Sequence, residues 1–344
     1  MTTSEVALLK KVDAVAFDCD GVLIDARESY DRAIRVVVET MVKEITGARV
    51  SIAKAAPRLI STIRRTGGFN NDWDTSYALT LFAVVAKKEG KASARLSEMV
   101  RRFGEEPRGV GAPAVDSFLA QEVPELGSRL DEARAYLGYP GRPPAGRMTT
   151  LFDELYFGSA LFEKLYGVRS SRRARGFINL ERTLVRERTL GSLERVVGEG
   201  RLAIISGRPS MGTELSLGKA IMGHFDRGSS MFIGDADVYP ELGLEYERFR
   251  KPSSEALVRA RERLSSRMLL YVGDSAEDLM MVQRAREKGG LRVCLFAGVY
   301  GMSPDPRGQA SFFEEGGADL VVRSVNDIPS RLLMASTKQV VKAS

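Results

Sequence analysis

The chain has 344 residues, 44% hydrophobic and 28% charged, the composition of a folded globular protein and not of a disordered one. At roughly 100–200 residues per domain it is long enough for two domains, or for one domain carrying a large insertion. No run of about 18 apolar residues argues for a membrane span, and the formal charge of +6 leaves nucleic acid, a membrane surface or an anionic small substrate open as partners.

The segment from Met1 to Lys11 lacks a long apolar core and a small-residue cleavage site, so it reads as a structural N-terminus and not a secretion signal. Asp13 to Phe17 is a short apolar run ending in Asp18-Cys19-Asp20-Gly21, as expected of a buried strand running into a polar turn. From Glu28 to Leu184 comparable strand-turn units are missing. Helical patterns dominate there: Arg27 to Thr46, Ser51 to Arg64, Asp72 to Glu89 and Thr149 to Tyr166. Linker-like stretches interrupt them at Gly104 to Pro113 and at Tyr139 to Gly146, where Pro and Gly cannot continue a helix.

Strand-turn units then return. Leu202 to Ile205 runs into Ser206-Gly207-Arg208-Pro209, Met268 to Val272 into Gly273-Asp274-Ser275, and Leu291 to Phe296 into Ala297-Gly298. Met231-Phe232-Ile233 before Gly234-Asp235 is a weaker unit. Helical patterns at Ser210 to Met222, Pro252 to Ser265 and Ala276 to Lys288 alternate with them. Such alternation predicts an α/β fold with a doubly wound, Rossmann-like parallel sheet, here with a mostly helical module inserted after the first strand. The expected division is 1–27 with 185–344 for the α/β core and 28–184 for the insertion. Cys19 and Cys294 lie far apart in apolar segments, which argues against a disulfide and suits a reducing cytoplasm. The lone histidine, His224, excludes mechanisms that need a histidine pair, and Gly223-His224-Phe225 reads as a helix-end turn.

In a doubly wound sheet ligands bind beyond the carboxyl ends of the strands, where Asp18, Asp20, Ser206 and Asp274 fall. Asp18 and Asp20 are two residues apart; Asp274 and Asp278 are four apart, the second on a first helical turn. Two unit charges about 4 Å apart repel by about 4 kcal/mol at an effective dielectric of 20, so converging acids need a cation or raised pKa values. Hard carboxylate oxygens without His or Cys favour Mg²⁺. Lys251 offers a second positive charge. Ser206 and the amides around Gly207 offer donors to a phosphate.

These residues resemble the haloacid-dehalogenase-like hydrolase superfamily. Asp18-Cys19-Asp20-Gly21-Val22-Leu23 is similar to its first motif. Ser206 in Ile204-Ile205-Ser206-Gly207-Arg208-Pro209 is similar to the second, Lys251-Pro252 to the third and Gly273-Asp274-Ser275-Ala276-Glu277-Asp278 to the fourth. The large insertion resembles the helical cap of the phosphoglycolate-phosphatase-like subfamily, although it is larger than a simple helical cap. Its middle, about 90–170, carries no resemblance of its own, and Ser253-Ser254 after Lys251-Pro252 departs from many relatives.

The resemblance implies a phosphatase in the cytoplasm acting on a small phosphorylated metabolite, with neither nucleic acid nor a membrane as partner. Asp18 would be the nucleophile and Asp20 the general acid and base. Mg²⁺ would be held by Asp18, the Asp20 carbonyl, Asp274 and Asp278, the last through water. Ser206, Gly207 and Lys251 would hold the phosphoryl oxygens. A phosphomutase-like transferase or a catalytically silent binding module on the same scaffold are the alternatives, and dehalogenation is disfavoured by Asp20 and the metal acids. The cap would close on hinges near Asp25–Glu28 and Leu184–Arg188, and its size leaves room for a homodimer contact.

Further substrate contacts are expected from Arg208 beside the phosphate motif. Arg64 and Arg65, with the polar loop Thr66-Gly67-Gly68-Phe69-Asn70-Asn71-Asp72-Trp73, suggest a specificity loop through Asn71 and Trp73; the plainer alternative is a helix-helix turn with Asp72 as N-cap. Gly234-Asp235-Ala236-Asp237 mimics an acidic motif but reads as structural. Arg169, Arg172, Arg173 and Arg175 read as a solvated loop, without the interleaved aromatics of a nucleic-acid site. Residues 28–184 hold 25 Lys and Arg against 19 Asp and Glu, an excess of six that equals that of the whole chain. The positive charge is therefore a property of the insertion, where it suits an anionic substrate.

Overall fold

The structure, a computed structural model, describes residues 7–66, 69, 71–88, 92–105, 111–239, 242, 248–289 and 294–337. The chain divides into two compact units, Met1–Ala26 with Glu181–Ser344 and, inserted between them, Arg27–Leu180.

In the first unit the described residues place six strands in one sheet: β1 (Ala14–Phe17), β4 (Leu202–Ser206), β5 (Met231–Phe232), β6 (Leu269–Gly273), β7 (Cys294–Val299) and β8 (Leu320–Val322). Their order is β5-β4-β1-β6-β7-β8, and each neighbouring pair is parallel. The chain winds outward from β1 in both directions, so the switch in strand order lies at β1, between β4 and β6. Ala14–Phe17 and Leu202–Ser206 are buried throughout. Covered on both faces, such strands read as continuous apolar runs and not as alternating ones. One face carries Ala14, Ala16, Ala203, Ile205, Leu269, Tyr271 and Phe296, packed with Ala256, Leu257 and Ala260 of the helix Glu255–Arg263 and with Met281, Val282 and Ala285 of the helix Ala276–Gly289.

Two short strands that the periodicity did not predict, β2 (Ile24–Asp25) and β3 (Arg182–Thr183), pair antiparallel, Ile24 with Thr183 and Asp25 with Arg182. They flank the insertion. The return segment is further held by Asn326, which donates to the Leu184 carbonyl at 2.9 Å and accepts from the Arg186 amide at 3.0 Å. Helix boundaries shift modestly. The helix after Lys251 begins at Glu255, not at Pro252. Residues 291–293, assigned above to the β7 segment, lie outside the described residues.

The inserted unit is helical. Arg27–Thr46 forms one 20-residue helix, and Asp72–Lys88 and Ala92–Glu105 form two more. Phe69, Phe82, Phe103 and Phe118 meet edge to face or tilted, with centroids 5.4–6.0 Å apart. Thr149 to Tyr166 is not one helix: it breaks at Gly158 into Arg147–Phe157 and Ser159–Tyr166. Gly158 has φ +75°, and a Cβ there would stand 2.3 Å from the Gly176 amide nitrogen, so the close pass of Gly176 fixes the break. Of the loop predicted around the lone tryptophan, Gly67, Gly68 and Asn70 lie outside the described residues, as do residues 106–110 of the expected linker. Among the described residues no helix is long and apolar enough to cross a membrane, and Cys19 and Cys294 are buried free thiols.

Candidate active site

The β1–β6 ladder places the first carboxylate. Phe17 pairs with Val272, and the Asp18 amide continues the ladder by donating to the Val272 carbonyl at 2.8 Å. That register brings Asp18 level with the Gly273-Asp274 turn. Beyond Asp20 the chain folds back: the Leu23 and Ile24 amides donate to the Cys19 carbonyl at 2.8 and 2.9 Å. Gly21, at φ +74°, makes this possible. A Cβ there would fall 1.8 Å from an Asp274 carboxylate oxygen, so only glycine lets the first and fourth motifs approach so closely.

One carboxylate oxygen from each of Asp18, Asp274 and Asp278 lies within 4.8 Å of the others. Lys251 Nζ stands 2.6 Å from Asp18 Oδ1 and 2.8 Å from Asp278 Oδ1. Asp278 is fully buried and both its oxygens are engaged. Oδ1 also accepts from the Tyr271 hydroxyl at 2.9 Å. Oδ2 accepts from the Ser275 hydroxyl at 2.6 Å and from the Asp274 and Ser275 amides at 3.2 and 3.1 Å. Asp278 thus anchors the lysine on one side and the Asp274 turn on the other.

The charges are unequal. Burial, with Asp278 and Asp20 nearby, pushes the Asp18 carboxyl up to about 7 against the pull of Lys251. Burial and the negative charges of Asp18 and Asp278 push Asp274 well above the usual carboxylate range. Burial opposes ionisation of Asp278 too, but Lys251, Ser275 and Tyr271 hold it below the ordinary value. Burial likewise opposes the charge on Lys251, yet Asp18 and Asp278 raise its pKa. One lysine therefore does not neutralise the cluster. Three converging hard oxygen donors, without His or Cys, fit a small divalent cation, and the missing Cβ of Gly21 is what lets the Asp274 carboxylate join them.

Ser206 ends β4, next to β1, and is buried. Its Oγ accepts from the Arg208 amide at 3.2 Å. Gly207 follows in the same loop. The acidic motif at 234–237 backs two loops of the site. Asp235 Oδ1 accepts from the Ser210 amide at 2.7 Å and from its hydroxyl at 3.1 Å, which pins the loop after Ser206. Asp237 Oδ1 lies 2.6 Å from Arg250 Nη2, immediately before Lys251. A Cβ on Gly234 would meet the Gly207 carbonyl oxygen at 2.2 Å.

Arg208, expected from sequence to contact substrate, is placed against two carboxylates. The residue is 2% exposed. Nη1 lies 2.6 Å from Asp20 Oδ1, and Nη2 lies 2.6 Å from Glu181 Oε2. In the inserted unit most of the expected specificity residues have local partners. Trp73 is 7% exposed, and its Nε1 donates to Asp153 at 3.0 Å, a residue to which Tyr166 also donates. Asn71, not Asp72, caps the helix by accepting from the Trp73 amide at 2.9 Å. Arg64 pairs with Asp72 at 2.6 Å and Asp31 at 3.7 Å, while Arg65 is exposed. His224 Nδ1 lies 2.8 Å from Glu194, just after the helical span Ser210–Met222, which breaks at Gly218 (φ +75°). Tyr271, Ser275 and Glu181 were not singled out from the sequence. A polar tyrosine in the otherwise apolar strand Leu269–Gly273 was the one available signal.

A doubly wound parallel sheet with carboxylates, a serine and a lysine gathered at its strand carboxyl ends defines an α/β hydrolytic enzyme core. The haloacid dehalogenase-like hydrolase family matches residues 12–286, and the chain belongs to that family. Among solved structures it is similar to the phosphatase Tt82 from Thermococcus thioreducens, at 26% identity and a TM-score of 0.54, covering 88% of this chain and 99% of that one. A Northeast Structural Genomics Consortium target, ZR25, has the same fold at 15% identity and a TM-score of 0.60, covering 95% of this chain and 100% of that one. No curated protein sequence matches the chain.

Proposed function

We propose that this hydrolase is a Mg²⁺-dependent phosphatase that cleaves a small anionic phosphomonoester through an aspartyl-phosphate on Asp18. The observation that carries this reading is the ion pair of Lys251 with both Asp18 and Asp278, set beside an acid cluster that the lysine alone does not neutralise. The likeness to a structure named as a phosphatase, Tt82, supports it.

Asp18 is buried among apolar strand residues and held by Lys251, so its attacking oxygen has a fixed direction. Asp20, whose side chain is 40% exposed, would give a proton to the departing alcohol and then take one from the water that cleaves the acyl phosphate. Ser206 Oγ and the amides of the Gly207 loop would donate to the phosphoryl oxygens, and Lys251 would offset their charge. Asp18, Asp274 and the Asp20 carbonyl would hold Mg²⁺, with Asp278 behind them. Bound there, the ion would supply charge stabilisation to the transferring phosphoryl group. The rest is positioning, which dominates phosphoryl transfer. The inserted unit, where the positive charge is concentrated, would act as the cap that selects an anionic substrate.

The test is a screen of phosphorylated metabolites with Mg²⁺, read as inorganic phosphate release. Asp18→Asn should lose turnover by at least about 10³-fold while keeping its thermal melt. Undiminished turnover in that variant sinks the mechanism, and phosphoryl transfer within the substrate without phosphate release marks a phosphomutase instead.

A further inference from the structure

The buried guanidinium of Arg208 lies between the expected acid-base residue and a second carboxylate that no motif includes. Nη1 meets Asp20 Oδ1 at 2.6 Å, and Nη2 meets Glu181 Oε2 at 2.6 Å and Ser216 Oγ at 3.3 Å. Ser216 also donates to Glu181 Oε2 at 2.5 Å. The Arg208 and Glu181 side chains are 2% and 1% exposed, while that of Asp20 is 40% exposed. One end of the chain of contacts is therefore fixed in the interior, and the other is a carboxylate within reach of a ligand. The Arg208 amide also donates to Ser206 Oγ at 3.2 Å, so the same residue ties the phosphate-binding serine to the first motif.

We infer that Arg208, locked by Glu181 and Ser216, is the positioning residue that aims the Asp20 carboxyl at the leaving-group oxygen. This rests on the phosphatase reading above. A planar guanidinium offers donors in a rigid fork, so it fixes the direction of each carboxylate it meets; an ammonium on a flexible stem holds its partners without that fixed direction. Asp20 bridges Ile24 just beyond the end of β1, and its contact with Arg208 holds one of its carboxylate oxygens. Such an arrangement serves proton delivery, which demands a heavy-atom approach of about 2.6–3.2 Å, more than it serves binding of the phosphoryl group.

The consequence is a selective defect. Protonation matters when the leaving oxygen is basic and little when it is not. The measurement is kcat/KM with Mg²⁺ across substituted phenyl phosphates, from 4-nitrophenyl phosphate to phenyl phosphate, whose leaving phenoxide is about as basic as a tyrosinate. This ratio reports steps up to departure of the phenol and is unaffected by later hydrolysis of the phosphoenzyme. Arg208→Lys should lose about tenfold or more on phenyl phosphate and less than about threefold on 4-nitrophenyl phosphate, within the range that a general acid contributes. In an Asp20→Asn background the same substitution should add less than about threefold on either ester.

Glu181→Gln, which keeps the guanidinium and releases its anchor, should steepen the dependence in the same direction, and it serves as the test should Arg208→Lys not fold. Equal losses across the series in folded variants, or losses that multiply with that of Asp20→Asn, overturn the positioning role and leave the phosphatase reading intact. A wild-type protein that releases no phosphate from any member of the series or of the metabolite screen overturns both.

Discussion

Gly21 carries two constraints that can be separated by experiment. It takes φ +74°, and the position of its missing Cβ lies 1.8 Å from Asp274 Oδ2. Gly47 has nearly the same backbone, φ +70°, with nothing within 4 Å of its missing Cβ. Both alanine variants therefore meet the left-handed backbone penalty of roughly 1–2 kcal/mol, but only Gly21→Ala displaces a site carboxylate. A displacement of about 1 Å at a reacting centre can cost on the order of 100-fold. Gly21→Ala should lose that much turnover and bind Mg²⁺ more weakly, while Gly47→Ala keeps both and shifts only its thermal melt. The acids would also give the proposed Mg²⁺ binding a pH dependence. Asp18 is raised to about 7, and Asp274 is raised well above the usual range, so below neutrality a cation must displace at least one proton. Affinity should then fall by about tenfold for each pH unit below about 7 for one proton displaced. Titration calorimetry in buffers of different ionisation enthalpy would count the protons released; no proton release at pH 6 would contradict the assignment. These residues were legible because each motif is local: a strand end, a turn, and a carboxylate within a few positions. The contacts of Arg208 were not legible, because its partner Glu181 lies 27 residues away. Those of Trp73 were not legible either, because the acceptor of its indole N–H lies 80 residues away, so a tryptophan in a polar stretch gave no local sign of burial.

Elements are tied together at their ends by carboxylates that do no chemistry. Asp13, just before β1, accepts from the Ser266 hydroxyl at 2.6 Å and from the Arg267 and Met268 amides at 3.0 and 3.2 Å. It clamps the start of β1 to the start of β6, at the opposite end of those strands from the acid cluster. Burial works against its charge, but Ser266, the two amides and Arg201 prevail, and its carboxyl titrates below the ordinary 3.8. The folded chain thus holds fewer protons at this group than the unfolded chain does near pH 3.8. The stabilisation is complete above the unfolded value and is lost as pH falls through the lower folded one. Asp13→Ala should cost about 1–2 kcal/mol in urea unfolding at pH 7, allowing for solvent around a partly exposed carboxylate. The difference from wild type should shrink below about pH 4, with kcat unchanged throughout. At this scale the long strands and helices of the core were legible from their apolar runs. The ribbon of β2 and β3 was not, since each is two residues long and alternation cannot show in two positions. The break at Gly158 was hidden for a related reason: the close pass of Gly176 that requires it is a tertiary fact.

At the scale of the whole molecule, the proposed chemistry and the excess charge belong to different units. Asp18, Asp20, Ser206, Lys251, Asp274 and Asp278 all fall in Met1–Ala26 and Glu181–Ser344. Arg27–Leu180 holds 25 Lys and Arg against 18 Asp and Glu, leaving 26 against 27 in the rest. The inserted unit can therefore be removed without deleting any of those side chains, and the chain is already prepared for the cut. Asp25 pairs with Arg182, and the Leu184 amide donates to the Leu23 carbonyl at 2.8 Å, so the two ends of the insertion are held side by side by backbone bonds within the α/β unit. Replacing Arg27–Leu180 with Asn-Gly would join Ala26 to Glu181 through a short hairpin connection of a kind that such strands accept. The shortened protein should unfold cooperatively and bind Mg²⁺ within about tenfold of the parent, because the proposed ligands keep their ladder and turns. It should retain turnover of 4-nitrophenyl phosphate within about 100-fold but lose discrimination among metabolites, since the positive surface that would choose an anionic substrate is gone. If the shortened core folds and binds the metal yet still ranks phosphorylated metabolites as the full chain does, specificity lies in the core loops and the inserted unit is not the selecting cap.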